Sequence, residues 1–339
     1  MTNLCQHNRT HVAHFAIIRD SGRLYLVAHQ PRANHMKIGI SVASAYPAGD
    51  PRDGARHMVD RTRAAVSANL DSLFVGDHHV TSSPYYQNMP MMGRMLAEWH
   101  ERPAGVLALL PLWHPVLVAE QVATLACIHE APFILQCGLG RGESQFQAMS
   151  ANIKHRPSAF EQSLACLRAL WRGETVSLDG RWQIKDALIS PLPPEAVAVW
   201  IGASADVAIN RAARLGDVWL AEPGLTLPQA RRSMDVYGDA RAQHSKPMPD
   251  TIAIRRDIYV AETDEEAQQV RQTIAHSYRG FDPDALIIGD AATVAGAFRD
   301  VEALGFTDII VRNLHPDPAS ALASTKRLKQ VKVLLENFF

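Results

Sequence analysis

Two patterns of apolar residues alternate along this chain. Short, nearly all-apolar runs fall at 38–42, 70–75, 105–110, 133–137, 197–201, 217–220, 251–260 and 308–311, and they predict eight strands. Between them, apolar residues recur every three to four positions. That spacing predicts helices over 54–69, 90–100, 115–127, 160–170, 205–215, 228–242, 264–278, 293–304 and 319–335. In 115–127, Val118, Val122, Leu125 and Ala126 share one face, and Pro115 suits a first helical turn. Ser204 is the expected N-cap of 205–215 and Gly216 its stop.

Apolar strands separated by helices imply parallel pairing with both faces of the sheet buried. Eight such units over roughly 300 residues predict a (β/α)8 TIM barrel. A doubly wound open sheet is the rival. It opens with a glycine-rich turn after its first strand, whereas here that stretch reads Ser41-Val-Ala-Ser-Ala-Tyr-Pro47. One interruption stands out: 175–178 and 181–184 flank Asp179-Gly180, which predicts a tight surface hairpin between the fourth helix and the fifth strand.

Residues 1–35 do not share this rhythm. They hold five of the fifteen histidines, His7, His11, His14, His29 and His35, without tight metal-ligand spacing. They also lack the basic start, apolar core and small-residue cleavage site of a signal peptide. The apolar runs 15–18 and 24–27 have no evident partner, while Met36-Lys-Ile-Gly-Ile-Ser reads as the first strand of a fresh domain. The expected organisation is an N-terminal extension, 1–35, loosely attached or preceding a natural start at Met36, and a barrel domain, 36–339.

Composition narrows the function. The 339 residues carry 34 Lys+Arg against 35 Asp+Glu, a net charge of −1, and 47% are hydrophobic. Such a chain is globular, and its charge balance argues against nucleic-acid binding. No apolar run is long enough to cross a bilayer. The four cysteines, Cys5, Cys127, Cys137 and Cys166, form no CxxC and fit a reducing compartment, so a cytoplasmic protein is expected. Cys127 and Cys166 read as small core hydrophobes, and Cys137, at a strand end beside glycines, as core filling or as a site-lining residue.

The active site of such a barrel lies at the C-terminal ends of its strands. After the second strand comes Gly76-Asp77-His78-His79, a carboxylate and two imidazoles able to move a proton near neutral pH, or a plain solvated loop. Since successive residues alternate sides, one of the two histidines is expected to face the pocket. The long loop that follows supplies Tyr85, Tyr86, Met89, Met91 and Met92, either as an adaptable pocket lining for a hydrophobic organic molecule or as anchors for the next helix. His114, after the third strand, is a pocket or capping residue. Gly138-Leu-Gly-Arg-Gly142 follows the fourth strand, where glycines permit close backbone approach and Arg141 can pair with a phosphate. Gly202-Ala203-Ser204 precedes a helix whose free N–H groups suit an anion. No metal site is expected, because His78 and His79 are adjacent and no His-x-His follows the first strand.

Several of these stretches together resemble one family. Ser72-Leu-Phe-Val-Gly-Asp-His-His79, Leu109 to Leu125, Phe133-Ile-Leu-Gln-Cys-Gly-Leu-Gly140, Val199-Trp-Ile-Gly-Ala-Ser204 and Arg211 to Trp219 are similar, in order, to strands two to six of the bacterial luciferase-like monooxygenases. The resemblance implies a TIM-like barrel, usually a homodimer, with a flavin-type cofactor across the strand ends. It implies a catalytic or flavin-adjacent role for His78, flanked by Asp77 and His79. It also implies a phosphate site at Leu139, Gly140 and Arg141 and at Gly202, Ala203 and Ser204. There Gly-Ala-Ser replaces a common Gly-Gly-Ser, so Ala203 limits close approach. Two chemistries occur in the family. One is monooxygenation of a small organic substrate with reduced FMN from a separate flavin reductase. The other is hydride transfer with the deazaflavin coenzyme F420. The acidic-His-His run resembles the luciferase side and inclines the expectation to FMN. A non-catalytic flavin-binding protein is the remaining alternative.

Overall fold

In a computed structural model the described residues are 14–20, 23–29, 36–46 and 49–337, the first two segments by backbone alone. The chain divides into two units at 35/36. In the first unit, β1 (His14–Asp20) and β2 (Arg23–His29) pair antiparallel, Ile17 opposite Leu26. The apolar runs expected to be unpartnered are therefore each other's partners. His7, His11 and His35 lie outside the described residues.

The second unit is a closed barrel. Its strands are β3 (Lys37–Val42), β4 (Ser72–Val75), β5 (Ala104–Leu109), β6 (Phe133–Gly138), β9 (Ala198–Ala203), β10 (Val218–Ala221), β11 (Ala253–Val260) and β13 (Asp308–Asn313). All pair in parallel, and the ring closes through β10 with β11 and β13 with β3. These are the eight strands expected from the sequence. A short ninth strand, β12 (Ile287–Gly289), pairs with the far end of β11 and was not expected.

The helices are α1 (Pro51–Ser67), α2 (Asn88–Leu96), α3 (Pro115–Ile128), α4 (Glu143–Ala148), α5 (Arg156–Trp171), α6 (Asp206–Leu215), α7 (Leu227–Gln243), α8 (Asp264–Thr273), α9 (Ala291–Glu302) and α10 (Pro318–Glu336). Their starts follow from local chemistry. Asp50, Asp290 and Asp317 each accept a backbone N–H of the first turn, and Pro51 and Pro318 occupy first-turn positions where no N–H is needed. Thr226 and Gln229 close a capping box on α7. Two expectations fail here. The N-cap of α6 is Ala205, without a side-chain bond, so Ser204 lies one residue too early. Cys127 is exposed, because it falls on the outward face of the last turn of α3, whereas Cys137 and Cys166 are buried.

The insertion is a hairpin of β7 (Val176–Leu178) and β8 (Ile184–Ala187). Its loop covers 179–183, not a two-residue turn, and Gly180 and Gln183 both take positive φ within it. Inside the barrel, Phe74, Ile134, Trp200, Val218, Leu220, Ala253 and Ile310 form a layer of their own, while the larger core lies between strands and helices. Gly39 and Gly105 let neighbouring strands close up: a Cβ at Gly39 would collide with Ser72 Oγ and one at Gly105 with the Ile134 carbonyl.

Candidate active site at the mouth of the barrel

The loops after β3 and β4 are tied together. Ala45 and Tyr85 bridge antiparallel, Tyr86 N–H donates to Ser44 O (3.0 Å), and Tyr46 N–H to Pro84 O (3.3 Å). This holds Tyr85 over the end of β4, where its hydroxyl lies against Gly76 and its ring meets that of His78 edge-on at 5.6 Å. Burial pushes the Tyr85 hydroxyl above its ordinary pKa. Tyr86 instead packs on α1, donating to Pro51 O beside Gly54. Met89 is 7% exposed and belongs to the core between α2 and the barrel. Of the aromatic and methionine residues expected to line a pocket, Tyr85 faces the mouth and Tyr86 and Met89 serve packing. His114 is exposed at the N-cap position of α3 and makes no cap bond there.

Asp77, His78 and His79 take three different positions. The Asp77 side chain is fully buried: Oδ2 accepts from the Leu109 N–H and from Trp113 Nε1, both at 2.8 Å. Asp77 therefore anchors the end of β5 and the turn after it. His79 is buried, with Nε2 3.1 Å from Asp77 Oδ1 and its ring edge-on to Trp113 at 5.2 Å. Its backbone N–H donates to Gln145 Oε1 (2.7 Å), and Gln145 Nε2 donates to Arg141 O (3.2 Å). Gln145, 3% exposed, thereby links the loop after β4 to the loop after β6. His78 is exposed. Partial burial, then the charge of His79, lowers its pKa, so the neutral imidazole is favoured at pH 7. Val80 follows at φ +52°, a costly conformation for a β-branched residue, so the chain turns sharply just beyond His79.

The cofactor candidates follow β6 and β9, further round the same ring of strands. Leu139 and Gly140 are half-buried after β6, with Gly140 at φ +72° and Gly142 at φ +94°; a Cβ at Gly142 would meet open space. Arg141 is exposed, and its charge reaches His78. Gly202 is half-buried and Ser204 exposed at the start of α6. Asp206, the one acid in the first turn of α6, is held by Arg232 at 2.7 Å and 2.9 Å, which offsets its charge there. The open space beside Gly142 and the N-terminus of α6 suit a phosphate. Among the described residues no cluster of three His, Cys, Asp or Glu is placed to hold a metal ion.

A third part of the mouth was not expected. Along β11 the residues alternate: Ala253, Arg255 and Asp257 face inward, while Ile254, Arg256 and Ile258 face the helices. Arg256 lines a separate cavity of about 180 Å3 on the outside, with Leu227, Asp284 and Ile288. The inward Arg255 and Asp257 sit beside Arg312 of β13 and Arg279 of the segment after α8. The signal was present in the sequence: three consecutive charges, Arg255-Arg256-Asp257, inside an otherwise apolar strand.

Comparison with known proteins adds lineage to this geometry. The profile of the family described as "Luciferase-like monooxygenase" matches residues 36–295. An F420-dependent glucose-6-phosphate dehydrogenase of Beutenbergia cavernae is 32% identical over 190 residues, 53% of this chain and 56% of that protein. The chain thus spans about half the length of that relative. In fold, it is similar to an F420-dependent secondary alcohol dehydrogenase in complex with an F420-acetone adduct (TM-score 0.72, 16% identity, 88% of this chain and 98% of that one). It is also similar to the oxygenating constituent of 3,6-diketocamphane monooxygenase from the CAM plasmid of Pseudomonas putida, in complex with FMN (TM-score 0.71, 18% identity, 87% and 97%).

Proposed function

The chain belongs to the luciferase-like monooxygenase family, and from that premise we propose a deazaflavin-dependent oxidoreductase that oxidises a hydroxyl of a small organic substrate. The carrying observation is His78, an exposed imidazole at the mouth whose lowered pKa keeps it neutral at pH 7. The kinship with an F420-dependent dehydrogenase over 190 residues supports the choice of cofactor. When bound, a deazaflavin supplies the hydride acceptor of the reaction. Leu139, Gly140, Arg141, Gly202, Ala203 and Ser204 would hold its phosphate-bearing side. A ring nitrogen of neutral His78 takes the hydroxyl proton of the substrate. Asp77 and His79 position that loop through Leu109, Trp113 and Gln145.

A second reading keeps FMN, supplied reduced by a flavin reductase, with oxygen as co-substrate. The resemblance of Asp77-His78-His79 to the luciferase side favours it. In either reading the chain works as a homodimer. Turnover of a panel of alcohols with F420 under strict exclusion of oxygen tests the first reading. Activity that appears only with FMN, a reductase and oxygen supports the second and overturns the first.

A further inference from the structure

In the ring of eight strands β13 stands opposite β6, so the Arg-bearing side of the mouth lies across the barrel from the phosphate cradle. The charges on that side do not balance. Asp257 is fully buried. Arg255 Nε lies 3.3 Å from its Oδ1, and Arg279 NH1 3.9 Å from its Oδ2. Arg279 itself sits at φ +53°. The Arg312 side chain makes no hydrogen bond or ion pair among the described residues, yet its charge reaches Arg255, Tyr278, Tyr85 and Tyr46. Beneath it, Arg61 is 4% exposed, lies over the Tyr46 ring at 4.7 Å and has no partner at Nε. Arg255 and Arg279 therefore share one carboxylate, and among the described residues neither Arg312 nor Arg61 is paired with a carboxylate.

Burying a charge without a partner is costly, and proteins retain such groups where something else completes the pairing. Burial above all, with the charges of Arg312 and Arg279 and against the pull of Asp257, brings Arg255 down to about 10, still protonated at neutral pH. Tyr85 connects the two halves of the mouth: its ring packs on His78 and its hydroxyl feels Arg312 and Arg255. An anion seated among the arginines would lie within one small molecule's reach of His78.

We propose that Arg255, Arg279 and Arg312 form an anion subsite that seats a carboxylate or phosphate group of the substrate, with the reacting carbon toward His78. This deepens the oxidoreductase reading, since it takes the mouth to be the active site. The bidentate fork of arginine matches both groups.

The test is calorimetric titration of the whole chain with inorganic phosphate and, separately, malonate at pH 7. It is repeated on Arg312→Ala, Arg312→Lys and Arg279→Ala, with F420 and FMN affinity measured on the same samples. The expected result is saturable binding of one anion, weakened about tenfold or more by either alanine variant and in part restored by lysine, with cofactor affinity unchanged. The preferred anion identifies the group. No saturable binding of either anion, or binding indifferent to both alanine variants, overturns the subsite. Parallel loss of cofactor affinity also overturns it, by assigning the arginines to the cofactor's own phosphate. Anion binding that depends on Arg312 in a protein that holds neither cofactor would support the subsite and remove the oxidoreductase reading.

Discussion

The two sides of the barrel mouth are built differently. Around β4 and β5 the charge is closed: the single carboxylate, Asp77, is consumed by Leu109 N–H and Trp113 Nε1 and backed by a buried imidazole. What remains for chemistry is one neutral, exposed histidine. Around β11 and β13 the charge is open: Asp257 faces an excess of guanidinium groups. In the proposed reading the first side moves a proton and the second holds an anion.

The sharpest way to break this comparison is to remove each side's central group. His78→Ala lowers turnover by about 10²–10⁴-fold while cofactor affinity stays within a few-fold; unchanged turnover removes His78 from proton transfer. Asp257→Ala leaves Arg255 buried without its carboxylate and lowers stability by about 3–5 kcal/mol, read from denaturant midpoints. A loss below about 1 kcal/mol would mean water already screens the pair. Trp113→Phe removes one of the two donors to Asp77 Oδ2 and costs about 0.5–1.5 kcal/mol, with a smaller effect on turnover than His78→Ala. The pH profile separates the two sides further. Since the pKa of His78 is lowered below its ordinary 6.5, the base is in its active form above that value. The acid limb of kcat/KM therefore falls at a pH below 6.5, and it disappears in His78→Ala. A limb above 7 would assign the titration to another group.

The same contrast marks how far the sequence could be read. Eight strands were legible because parallel barrel strands, covered on both faces, are written as short, mainly apolar runs. The Asp77-His78-His79 side was legible because it directly follows such a run. The sequence left open which imidazole faces the mouth. The answer rests on Trp113 and Gln145, which trap His79 from two other loops. Arg255 and Asp257 are hidden in the sequence because they lie inside an otherwise apolar strand, where only alternation separates the inward pair from Arg256 on the outside. Arg312 reaches Asp257 through the pairing of β13 with β11, and Arg279 comes from the segment after α8, so neither proximity is written in local sequence. Ser204 misses the cap of α6 by one residue, because the turn after β9 continues to Ala205 before the helix begins. Tyr86 and Met89 show the limit of reading a loop by composition: Tyr86 clasps α1 and Met89 enters the core.

The most direct test of the central claim, a flavin-type cofactor at this mouth, is an anaerobic absorbance titration of the full chain with F420 and with FMN, each in its oxidised and reduced form. The account predicts a saturable spectral change with at least one of the four, tighter for F420 than for FMN, and its persistence in His78→Ala. No spectral change with any of the four would contradict it.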